Sequence, residues 1–118
     1  MFQFLSRFFR CKVKEYEAVL LPTPSCRYGG KGEIEISRYG DGSAAFEVSL
    51  KHSSVPDGET VEFYCLGSKL ETATSRGGYV KKYITFENIA DLQSQLLNSQ
   101  AEIYIGGAVL YTGCFRYD

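Results

Sequence analysis

One stretch near the middle of the chain returns close to its end, and this repeat constrains the fold more than any other feature. Residues 61–72 and residues 101–112 align without a gap at an offset of 40 residues. The identical pairs are Glu62 and Glu102, Tyr64 and Tyr104, Gly67 and Gly107, Leu70 and Leu110, and Thr72 and Thr112. Before each glycine, apolar and polar residues alternate, which is typical of a strand that ends in a tight turn. The sequence therefore predicts the same β-hairpin twice.

The same offset extends into a longer pseudo-repeat, with residues 39–74 laid on residues 79–114. Four further identities bring the total to nine, namely Tyr39 with Tyr79, Phe46 with Phe86, Glu47 with Glu87, and Ser54 with Ser94. Unrelated sequences of this composition would share roughly two or three identities over that length, so we interpret the pattern as a duplicated structural unit. The identities carry no catalytic, metal or nucleotide signature.

Alternation and turn signals outside the repeated hairpin predict further strands. Glycine and proline turns such as residues 40–42 and 56–58 separate short alternating segments. The predicted strands span residues 13–21, 32–37, 44–51, 60–66, 69–74, 79–87, 101–105 and 109–116. This rhythm predicts an all-β fold, an immunoglobulin-like antiparallel β-sandwich of seven to eight strands with an internal pseudo-repeat. A partly open β-barrel is the alternative, because even strand spacing suits both.

One segment breaks the β pattern. Ile89, Leu92 and Leu96 recur at three and four residues behind Asn88, a good helix N-cap, so a short helix is predicted over residues 88–98. With 118 residues, nine Tyr, eight Phe and no Trp, the chain suits a single β-rich domain. We assign residues 13–118 to that domain and residues 1–12 to an N-terminal amphipathic arm.

The arm has two interpretations. Arg7 and Arg10 interrupt four large apolar residues at helical spacing, which are Phe2, Leu5, Phe8 and Phe9. The arm either covers an open end of the core or pairs as a strand, or else it forms an amphipathic helix on a membrane or in a partner's groove, where Cys11 could carry an acyl chain. The apolar residues precede the basic ones, which reverses the order of a secretory signal. The expected location is therefore cytoplasmic, with peripheral membrane contact through residues 1–11 as the alternative.

The cysteines point to a reducing compartment. None of the four has the close spacing of a zinc knuckle. Cys65 and Cys114 both fall within predicted strands, so we expect them to be free, buried thiols.

Catalysis and metal binding find little support. His52 is the only histidine, and it precedes two serines and a turn, but no nucleophile elbow or oxyanion-hole motif accompanies it. Asp41, Asp57 and Glu59 suit ordinary turn chemistry rather than a calcium loop. A formal net charge of -1 argues against nucleic-acid binding. We predict no catalytic residue, no metal and no cofactor.

The remaining candidate is the sheet surface. If Phe63 points inward, then Tyr64, Glu62 and their repeat equivalents Tyr104 and Glu102 point outward. We predict a non-enzymatic interaction or structural module that binds a protein partner, or a second copy as a homodimer, through this exposed face. The alternatives are a membrane-associated protein held by its N-terminal arm and a module that binds carbohydrate or another small ligand on the outer tyrosines. No particular small molecule is indicated.

Overall fold

The computed structural model describes residues 12–41, 43–86 and 96–117, and in these ranges the chain is an all-β protein, as predicted. Eight antiparallel strands form one continuous sheet. They are β1 (Lys12–Pro22), β2 (Lys31–Tyr39), β3 (Ala44–Lys51), β4 (Thr60–Cys65), β5 (Ser68–Thr74), β6 (Val80–Phe86), β7 (Gln100–Ile105) and β8 (Ala108–Tyr117). Each strand coincides with a predicted one to within about two residues, because alternation and turn residues are local signals.

The strand order makes the sheet curl toward closure. The order across the sheet is β5-β4-β7-β8-β1-β2-β3-β6. The first and last strands of this order are consecutive in the chain, and Arg76 and Tyr79 form an antiparallel bridge between them. Gly77 and Gly78 supply the positive φ angles of the turn inside that bridge. Of the two arrangements left open by the sequence, the single curled sheet corresponds to the partly open barrel.

The interior of the curled sheet is a continuous apolar core. Alternate residues of the strands turn inward, as period-2 patterning requires. The largest fully buried side chains are Tyr16, Tyr111, Phe46, Phe63, Phe115, Leu20, Ile34, Ile36, Leu50, Leu96, Ile103 and Val48. Each contributes on the order of 1.5–3 kcal/mol to folding. This core leaves the convex outer face available for function.

The two predicted hairpins have matching geometry. Gly67 and Gly107 occupy the same turn position, with φ angles of 75° and 80°. Each hairpin also has a register shift at the equivalent place, between Phe63 and Tyr64 and between Ile103 and Tyr104. β4 and β7 pair antiparallel with Phe63 opposite Ile103, so a local two-fold relates the hairpins. The duplication over residues 39–74 and 79–114 stays a prediction.

Two predicted segments fall outside the described residues. The arm lies outside them through residue 11, so its membrane and partner roles stay predictions. Residues 88–95 of the predicted helix are also outside the described ranges. Leu96, near the end of that segment, is described and is fully buried. Across the ranges that the structure describes, no helix has the length and apolar character needed to cross a membrane.

Candidate functional site

The predicted surface residues lie on neighbouring strands, where the two tyrosines contact each other. Glu62 of β4 is paired with Tyr104 of β7, and Tyr64 is paired with Glu102. The Tyr64 and Tyr104 ring centroids are 4.6 Å apart with an interplanar angle of 52°. Because the rings are tilted, they do not form one flat platform for stacking a sugar. Their contact resembles a cross-strand aromatic pair, which typically stabilises a sheet by roughly 0.2–1 kcal/mol.

A groove lies on the same outer face, over the pairing of β8 with β1. Its volume is about 510 Å³, and its lining residues are Glu17, Val19, Leu21, Thr112, Gly113, Cys114, Arg116 and Tyr117. Leu21 is in register with Thr112, and Glu17 is in register with Arg116. Thr112 is also paired with Glu102 of β7. The groove therefore borders the predicted tyrosine surface.

Small residues in the middle of the two strands explain the shape of the groove. Thr112, Cys114 and Val19 are short lining residues near the middle of the groove, whereas Glu17, Leu21 and Arg116 are longer ones. The lack of a side chain on Gly113 lets β8 approach β1 closely. A Cβ atom there would overlap the backbone carbonyl oxygen of Val19.

The groove exposes apolar surface to solvent. Leu21 and Tyr117 are each 58% exposed, and Val19 is 41% exposed. Tyr117 also contacts the buried Tyr16, its register partner, at a ring centroid distance of 5.1 Å, so its ring lies beside Tyr16 on the inner face of the sheet. Val19 and Leu21 are therefore the large apolar side chains of the outer groove, and neighbouring exposed apolar residues in one concavity are typical of a binding surface.

Carboxylates border the groove on the β2 side. Glu17, Glu33 and Glu35 place oxygen atoms within 4.8 Å of one another. Glu35 is in register with Glu17, and Glu33 is in register with Val19, which lines the groove. Lys31 forms an ion pair with Glu33 at 3.4 Å. Because acidic clusters of this kind are common on protein surfaces, we assign no metal to the cluster, and we treat it as the acidic border of the groove.

The cysteines divide into buried and exposed thiols. Cys26, Cys65 and Cys114 are all free. Burial raises the pKa of the Cys65 thiol to about 11, which suppresses the reactive thiolate near neutral pH. The prediction that Cys114 is also buried is wrong, since Cys114 is exposed in the groove. The physical reason is that β8 turns Phe115 inward, so its neighbour must face outward.

The loop around His52 shows ordinary structural contacts. His52 is exposed and has a φ of 59°. The hydroxyls of the adjacent serines donate to backbone carbonyls, Ser53 to Gly78 at 2.7 Å and Ser54 to Tyr28 at 3.2 Å. These hydrogen bonds tie the loop to its neighbours.

The predicted turn carboxylates accept hydrogen bonds from the backbone. Asp57 accepts one from the Gly77 amide at 2.8 Å, and Asp41 accepts one from the Ser43 amide at 2.9 Å. Their role as turn residues is confirmed.

Comparison with known proteins adds no family to this description. No family model matches the chain, and no curated protein matches its sequence. The sequence predicted the surface around Tyr64 and Tyr104 but not the groove. A signal for the groove was present, because three successive apolar residues at positions 19–21 require at least one of them to face outward.

Proposed function

We propose that this chain is a non-enzymatic interaction module that binds a protein partner or a second copy of itself through the outer face of β4, β7, β8 and β1. The observation that carries this proposal is the groove in which Val19 and Leu21 are exposed to solvent. A concave apolar centre with polar residues at its rim is the usual anatomy of a protein-binding surface.

The energetics favour burial of this surface by a partner. Covering an exposed aliphatic or aromatic side chain contributes up to roughly 1.5–3 kcal/mol when burial is complete. Val19 and Leu21 are each about half exposed, so their burial can contribute roughly 1.5–3 kcal/mol together toward the approximately 8 kcal/mol of a micromolar affinity. The adjacent Tyr64 and Tyr104 extend the surface with residues that are enriched in interfaces.

The thiols support a cytoplasmic location. Cys26, Cys65 and Cys114 are all free, as expected in a reducing compartment. The exposed thiol in the groove would persist most readily in such a compartment, where thioredoxin and glutathione keep it reduced.

Site-specific photocrosslinking tests the proposal with two threonines on the same outer face. Thr112 lies in the groove, and Thr85 lies exposed on β6, several strands away. A photoreactive phenylalanine analogue at position 112 should give a discrete crosslink to a protein or to a second copy, and the same analogue at position 85 should not. Equal crosslinking from both positions, or none from position 112, would contradict the proposal.

A further inference from the structure

We propose that the groove of one copy receives residues 7–10 of a second copy, so that the chain self-associates through its N-terminal arm. This inference rests on the proposed function and names the partner of the same surface. Residues 7–10 read Arg-Phe-Phe-Arg, and no acidic residue occurs among residues 1–14. The segment therefore offers two aromatic rings flanked by two positive charges.

The groove has the complementary chemistry. Val19 and Leu21 present apolar surface for the phenylalanine rings. The carboxylates of Glu33 and Glu35 on β2 lie close to that of Glu17 on β1, where they can pair with incoming guanidinium groups.

The two sides of the groove differ in charge. Arg116 lies on the β8 side, opposite Glu17 in register, and would repel a second guanidinium there. The β2 side carries the carboxylates of Glu33 and Glu35 against the single ammonium of Lys31, which is paired with Glu33, so the arginines of the arm are directed toward that side.

The length of the chain favours a second copy over the same copy. β1 begins at Lys12, and Val19 lies seven residues further along it, about 23 Å at the rise of an extended strand. Phe8 precedes Lys12 by four residues and can extend at most about 14 Å from it. Within one copy, Phe8 can approach the near end of the groove at Tyr117 but not its centre. The arm of another copy has no such restriction.

Mixing two full-length variants tests this exchange. The first variant, Phe8→Ser with Phe9→Ser, has an altered arm and an intact groove. The second, Val19→Ser with Leu21→Ser, has an altered groove and an intact arm. Each variant alone should self-associate at least about tenfold more weakly than the unchanged chain, because the main apolar contacts are lost. An equimolar mixture should form a mixed pair, because the intact arm of the second variant can bind the intact groove of the first. With one variant fluorescently labelled, sedimentation velocity should show the labelled chain sedimenting faster in the mixture than alone.

The outcomes separate this inference from the proposed function. If the arm variant associates as tightly as the unchanged chain while the groove variant does not, the arm inference fails and the interaction surface stands. If the groove variant also associates normally, the groove does not mediate self-association, and that part of the proposed function fails as well. An unchanged chain that stays monomeric, or a mixture that forms no mixed pair, overturns the inference.

Disulfide trapping gives a second test without substitutions. Cys11 directly precedes β1, and Cys114 lies beside Val19 between the register pairs Ala18 with Phe115 and Leu21 with Thr112. A disulfide requires Cα atoms within about 7 Å, so these two thiols of one copy are too far apart along β1 to be joined. Diamide, which takes two electrons and two protons from a thiol pair, should therefore join Cys11 to Cys114 only between copies.

Peptide mapping by mass spectrometry identifies the trapped pair. The expected product is a Cys11–Cys114 link in the dimer band of a non-reducing gel. A Cys114–Cys114 link alone would show that two grooves face each other and would overturn the inference. Absence of any Cys11–Cys114 link would do the same.

Discussion

Tyr111 is a buried tyrosine whose hydroxyl ties the core to a loop. The hydroxyl donates a hydrogen bond to the Gly29 carbonyl at 2.6 Å, and the residue is fully buried. Tyr111→Phe should lower the free energy of unfolding by about 1–2 kcal/mol, because the Gly29 carbonyl loses this partner. Urea unfolding measures the change, with Tyr83→Phe as the control because Tyr83 is 63% exposed. Equal stability of the two variants would contradict this role for the hydroxyl.

Cys65 should make the fold sensitive to alkaline pH. Burial raises the pKa of its thiol from an ordinary value of 9.0 to about 11, and burial also raises the pKa of Tyr111. The folded state binds the Cys65 proton more tightly than the unfolded state, so the stabilisation from this thiol is complete below pH 9 and is lost as the pH rises through 11. Cys65→Ala should show a shallower loss of unfolding free energy between pH 9 and pH 11. Parallel pH profiles for the variant and the unchanged chain would argue against a contribution from the thiol.

The outward position of Cys114 shows where sequence reasoning reaches its limit at single residues. β7 pairs Ile103 with Tyr111 but Tyr104 with Val109, so Leu110 is an extra residue in β8. Leu110 and Tyr111 are consequently both buried, and the alternation changes phase between them. A period-2 count through this bulge assigns the wrong face to the residues that follow. The bulge depends on pairing with another strand and is not visible in β8 alone.

At the level of elements, the two hairpins should respond alike to the same change. Gly67 and Gly107 have similar positive φ angles, and neither has an atom that would obstruct an added Cβ. Substitution of either by alanine should therefore cost backbone strain alone, about 1 kcal/mol. Thermal and urea unfolding should show equal losses within about 0.5 kcal/mol, while Ser68→Ala beside the first turn serves as the control. A large loss at only one glycine would mean that the turns are not equivalent.

The elements themselves were largely predictable, but their arrangement was not. The segment at residues 44–51 was predicted from alternation and coincides with β3, and both glycine turns lie where expected. The pairing of β1 with β8 brings Val19 beside Cys114, although they are far apart in sequence. Local patterning specifies which residues share a face of one strand, but it does not specify which distant strand lies alongside. The groove could not be predicted for this reason.

At the scale of the whole molecule, the pairing of β8 with β1 joins two four-stranded halves of the sheet. Gly113 lies at this junction, where a side chain would meet the Val19 backbone. Gly113→Ala should destabilise the protein by at least about 1–3 kcal/mol, the usual cost of overpacking. The neighbouring exposed substitution Cys114→Ala should change stability by less than about 0.5 kcal/mol. If both variants unfold at the same urea concentration, the close approach at this junction is not important for stability.

The central proposal is that the outer face over β1 and β8 binds a second copy of the chain. Sedimentation velocity of the full chain over a range of concentrations, under reducing conditions, tests it most directly. We expect the sedimentation coefficient to rise with concentration for the unchanged chain but not for the Val19→Ser, Leu21→Ser double variant. Tyr83→Ser is the control, because Tyr83 lies exposed on β6, and its sedimentation coefficient should rise as that of the unchanged chain does. A concentration-independent monomer for the unchanged chain, or the same association in all three proteins, would contradict the account.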